Sequence, residues 1–157
     1  MPASLDIEGP LKFKAGDLDW QARVVSAHHK LAAMERAMLA GDTSKTESWK
    51  QCDWQYHHAL ISACGSRALL DAHSAAYDKY LRYQMLAVVF RGQIAAVEHH
   101  KLMDAAMRRD FKAAREILHS HIHDCVEHAL TKSDWLKPTG ARPNAQIAAL
   151  QKKLRGC

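Results

Sequence analysis

CDWQYHHALISACGS, residues 52–66, places an aspartate, two adjacent histidines and a tyrosine in a stretch that otherwise reads as core. Wound as an α-helix at about 100° per residue, Trp49, Cys52, Tyr56, Leu60, Ala63 and Cys64 share one face. Asp53 falls in the middle of that face, and His57 lies one turn on, at its edge. A carboxylate in an apolar stripe costs several kcal/mol unless something pairs with it. The stretch therefore predicts a helix and also a partner for Asp53.

Helical signals continue on both sides. Between Gly16-Asp17 and Gly41-Asp42, the residues Trp20, Val24, Ala27, Leu31 and Met34 recur at three- and four-residue spacing, which predicts one long amphipathic helix. The quoted stretch belongs to a second helix that begins with cap-type residues near Thr43 and ends at Gly65. A third runs from Ser66 towards Phe90, with Leu70, His73 and Tyr77 along one side, and Gly92 separates it from a fourth ending near Arg109. Asp110 is the expected N-cap of the last, whose buried stripe is Phe111, Ala114, Leu118, Ile122, Cys125 and Ala129. The segment before Lys12 is a poor helix because Gly9-Pro10 interrupts it. Short connections make successive helices antiparallel, so the expected fold is an all-α antiparallel bundle of about six helices.

The same registers sort the eleven histidines. His28, His29, His58, His100, His119, His123 and His128 read as surface or half-buried positions. His121 falls inside the stripe of the last helix. His99 flanks the inward face of the fourth, which is formed by Ile94, Leu102, Ala105 and Ala106. Three helices thus bring Asp53 with His57, His99 and His121 towards the core. Asp53 and His57 are four residues apart and can chelate one ion from a single helical face. One possibility is a set of separate core histidines, each satisfied by a hydrogen bond. An aspartate with three histidines, all on inward faces, favours a divalent metal centre, and the donor set suits Zn²⁺, Ni²⁺, Fe²⁺ or Mn²⁺.

Composition narrows the function classes. The 157 residues make up about one ordinary domain. No apolar run reaches the roughly 20 residues needed to span a bilayer, and the N-terminus lacks signal-peptide regions, so a cytoplasmic protein is expected. Cys52, Cys64, Cys125 and Cys157 have neither zinc-site nor disulfide-framework spacing. The net charge of +5 resides in the tail: from Thr131 onward six Lys/Arg accompany one Asp. Residues 1–130 are read as the metal- and effector-binding bundle, and 131–157 as a basic tail. Such a tail is a solvated extension more often than a specific DNA reader.

Two motifs carry a family resemblance. DWQYHHALISACGS (53–66) resembles the D-x-x-F-H-x-x-L-x-x-A-x-G-N element of the FCD domain, the C-terminal ligand-binding domain of FadR-type GntR transcriptional regulators. EHHKLMDAAMRRDFKAAREILHSHI (98–122) resembles the second signature of that domain, with His99, Asp110 and His121 spaced eleven residues apart. The likeness covers roughly residues 5 to 130.

The resemblance implies a homodimeric helical bundle with a divalent metal on Asp53, His57, His99 and His121. A small organic acid would complete the coordination, and DNA would be bound only through a winged-helix domain that has no room before residue 5. Ser4 stands where the family usually carries an arginine. Arg82, with Tyr83, is the expected second contact of the acid, because a guanidinium suits a carboxylate. The expected function is that of an effector-binding and dimerisation domain rather than an enzyme. An open three-histidine, one-aspartate site also allows a metal-dependent hydrolase. Against a hydrolase, the only nearby general base is Glu98, which the register points outward.

Overall fold

The computed structural model describes residues 16–84 and 90–132. They form five α-helices in the order α1 (Leu18–Leu39), α2 (Thr46–Ile61), α3 (Arg67–Gln84), α4 (Gln93–Met107) and α5 (Phe111–Lys132), and no strand occurs among them. The all-α expectation holds. The segment before Gly16 and the basic tail beyond Lys132 lie outside the described residues.

Local chemistry sets the boundaries. Asp17 caps α1 by accepting a hydrogen bond from the Trp20 amide at 2.8 Å, and Gly41, at φ +88°, ends it. Asp110 accepts from the Ala113 amide at 3.0 Å and starts α5 as expected. The second helix begins later than its cap-type residues imply. Thr43–Lys45 form a 3-10 turn whose cap is Asp42, and α2 then starts at Thr46 without a side-chain cap.

α1 packs along α2 and also along α4, while α5 packs against α4. Their shared core consists of Trp20, Val24, Leu31, Trp49, Tyr56, Leu60, Leu102, Ala105, Ala106 and Ala114. Trp20 is fully buried, and its indole N–H donates to the carbonyls of Ala59 and Leu60 at 3.1 and 3.3 Å, tying the start of α1 to the end of α2. Tyr56 makes the corresponding tie between α2 and α4, donating its hydroxyl to the His99 carbonyl at 2.9 Å.

Two inward assignments fail. Ile94 is 62% exposed and Ile122 is 54% exposed. On α4 the face that meets α1 and α5 is Ala95, His99, Leu102, Ala105 and Ala106, so His99 lies in the stripe and Ile94 outside it. Small alanines let the helices approach closely at this face, whereas the register alone favoured the bulkier Ile94.

Candidate metal and effector site

Asp53, His57, His99 and His121 converge. One ligand-type atom from each of the three histidines lies within 4.8 Å of the others. The rings of His99 and His121 are 4.7 Å apart between centroids, and His57 is 5.3 and 5.5 Å from them. Asp53 stands beside this trio. Its Oδ1 is 3.4 Å from Nε2 of His99 and 3.8 Å from Nε2 of His57.

Helices pack so that each of these groups is held from behind. On α3, Tyr77 donates its hydroxyl to Oδ2 of Asp53. Glu35 on α1, only 2% exposed, places Oε1 2.6 Å from Nδ1 of His99. Glu98 on α4 places Oε2 2.7 Å from Nδ1 of His121. Arg91 in turn grips both oxygens of Glu98, at 2.8 and 3.1 Å. A carboxylate beside Nδ1 assigns the ring hydrogen to that nitrogen and leaves the lone pair on Nε2. Histidine ligands of metals are oriented in this way.

For His57 and His99 the electrostatics fit the same picture. Burial, with neighbouring imidazoles, holds His57 well below the ordinary histidine range, and burial lowers His99 to about 4. Both are therefore neutral at pH 7. Burial also opposes an imidazolium at His121, but Cys125 and Glu98 outweigh it and raise that pKa to about 9. Burial, with the charge of Asp53 nearby, raises Glu35 to about 7.

Nε2 of His99 is buried and has no hydrogen-bond partner. Buried polar atoms are satisfied almost without exception, so an orphan surrounded by two imidazoles and a carboxylate calls for another group. Three imidazole nitrogens this close together are a donor set that suits a divalent transition ion.

Asp53, His57 and His121 also border a cavity of about 290 Å³. The side chains of Arg82 and Tyr83, expected to contact the acid, lie outside the described residues. The outward assignment of Glu98 is incorrect: it faces His121 and is engaged there and with Arg91. Spacing missed Glu35 as well, although it lies four residues after Leu31 on the buried face of α1. The seven histidines set aside are all half-buried or exposed.

Comparison with known proteins agrees with the fold and the motifs. The chain belongs to the FCD domain family, which it matches over residues 14–124. It is 33% identical over 113 residues to the uncharacterized HTH-type transcriptional regulator BphR of Paraburkholderia xenovorans (strain LB400), covering 71% of this chain and 46% of that protein. It is 28% identical over 119 residues to the HTH-type transcriptional repressor GlaR of Escherichia coli (strain K12), covering 69% of this chain and 51% of the repressor. The chain thus spans about half the length of the curated relatives it matches. No solved structure matches it significantly. Among the described residues no helix is long and apolar enough to cross a membrane.

Proposed function

We propose that this chain is the effector-binding and dimerisation domain of a cytoplasmic GntR-type transcriptional regulator, and that it holds one divalent metal on Asp53, His57, His99 and His121. Zinc is the first choice of ion, with nickel, iron and manganese as the other candidates. The metal supplies a Lewis-acidic anchor for a small organic acid. The chain's residues set the imidazole tautomers through Glu35 and Glu98, orient Asp53 through Tyr77, and enclose the acid in the adjoining cavity.

The observation that carries this reading is the orphaned, buried Nε2 of His99, flanked by His57 and His121, which border the cavity. DNA recognition is assigned to a helix-turn-helix part of the kind the relatives' names denote, which we take to be a winged-helix domain. Arg82 and Tyr83 remain the proposed second contacts of the acid.

A hydrolase is less well supported. Glu98, the general base that the sequence suggested, is held by Arg91 and engaged with His121, and it is not among the residues that line the cavity.

The test is calorimetric titration of the zinc-loaded chain, and of the same chain after chelation, with acetate, benzoate and succinate. At least one acid should bind only when zinc is present. Binding that survives chelation unchanged contradicts direct ligation. Sedimentation should give a dimer at micromolar concentration, and a monomer there removes the dimerisation role.

A further inference from the structure

Among the described residues, Cys125 is the one cysteine that lines the cavity beside the histidines. It follows His121 by four residues on α5, about one helical turn. The two side chains therefore share a face, as Asp53 and His57 share one on α2. Sγ of Cys125 is 3.7 Å from Nε2 of His121, the nitrogen left free to ligate because Nδ1 faces Glu98.

That separation suits two ligands of one ion. Zinc binds imidazole nitrogen at about 2.0–2.1 Å and thiolate sulfur at about 2.3 Å. At neighbouring positions, with angles of about 90° to 120°, the two donors then stand about 3.1–3.8 Å apart. The buried, unpartnered Nε2 of His99, close to the His121 nitrogen, calls for an ion at the same place. Beyond Cys125, Arg91 places Nη1 3.6 Å from Sγ while anchored on Glu98, and its side chain is only 7% exposed. A cation beside a cysteine favours the thiolate, which is the form that ligates. The one proton between Sγ and Nε2 of His121 leaves to solvent when both atoms coordinate.

We propose that Cys125 is a further ligand of this ion, its thiolate binding beside His121, so that the centre mixes nitrogen, oxygen and sulfur donors. The inference rests on the metal reading above and adds a soft donor, which favours zinc over manganese.

The full chain is stripped of metal, reduced and loaded with cobalt(II), a spectroscopic stand-in for zinc. Visible d–d bands report uptake, and a near-ultraviolet thiolate-to-cobalt charge-transfer band reports sulfur ligation. The wild type should show both. Cys125→Ser should lose the charge-transfer band and weaken zinc at least about tenfold. Cys52→Ser, Cys64→Ser and Cys157→Ser should each keep the band. Should Cys125→Ser take up no cobalt, those three variants still decide, because a band kept in all of them belongs to Cys125. Three results overturn the ligand assignment while the metal reading stands: cobalt uptake without the band, a band or zinc affinity unchanged in Cys125→Ser, or a band lost with another cysteine while cobalt stays bound. If the wild type takes up no cobalt, the metal reading fails and this inference falls with it.

Discussion

Tyr77 donates its hydroxyl hydrogen to Oδ2 of Asp53, so an aspartate buried on α2 is fixed by a residue 24 positions further along the chain on α3. The bond leaves Oδ1 turned to His57 and His99. Tyr77→Phe keeps the ring and removes the donor. Zinc affinity should fall by about tenfold. The chelated protein should lose about 1.5–3 kcal/mol, the usual worth of a hydrogen bond to a charged group. Zinc titration and urea denaturation of both proteins check this.

Glu98 orients His121 and is itself held by Arg91. Glu98→Ala should therefore weaken zinc binding by roughly 10- to 100-fold, although Glu98 is not a proposed ligand. Glu116→Ala, an exposed position on α5, should leave the affinity unchanged. Equal effects of the two substitutions would count against the orienting role.

Protonation states set the proton release on metal uptake. At pH 7 His57 and His99 are neutral, and His121, near 9, carries a proton that must leave before it can ligate. Zinc binding at pH 7 should release about one proton, with a further fraction from Glu35 as the metal lowers its pKa of about 7. Calorimetry in buffers of different ionisation enthalpy measures this directly. Release near zero would contradict the assignment of His121.

The chelated protein has a pH dependence of its own. His99 is lowered to about 4, so alone it would lose stabilisation as pH falls from 6.5 towards 4. Glu35 is raised to about 7, which has the opposite sign: its contribution is full below 4.5 and disappears as pH rises through 7. Between pH 4.5 and 6.5 the folded pair and the unfolded pair hold the same number of protons, so the two effects cancel. His57, lowered with no such compensation, then drives acid destabilisation. His57→Asn should reduce the slope of unfolding free energy in that window by up to about 1.4 kcal/mol per pH unit. Urea melts at several pH values check this.

Register carried the sequence reading a long way. The helix faces alone brought Asp53, His57, His99 and His121 towards one point, because a buried polar residue stands out in an apolar stripe. Their partners were less visible. Tyr77 shares one side of the third helix with Leu70 and His73, but a face does not reveal which group a hydroxyl will meet. Glu35 continues the Leu31 face of α1, yet a single glutamate in a helix ordinarily reads as its solvated side. Glu98 neighbours His99 in sequence and so points about 100° away from it. It is covered only because α5 brings His121 over that flank, a packing fact that no single-helix register contains.

The central claim is that Asp53, His57, His99 and His121 hold one divalent ion. Metal content per chain after exhaustive dialysis tests it most directly. The account predicts one zinc per chain for the wild type and for the exposed-position controls His119→Ala and His123→Ala, and a near-complete loss for His57→Ala, His99→Ala and His121→Ala. Retained metal in those three variants, or equal loss in the two controls, would contradict it.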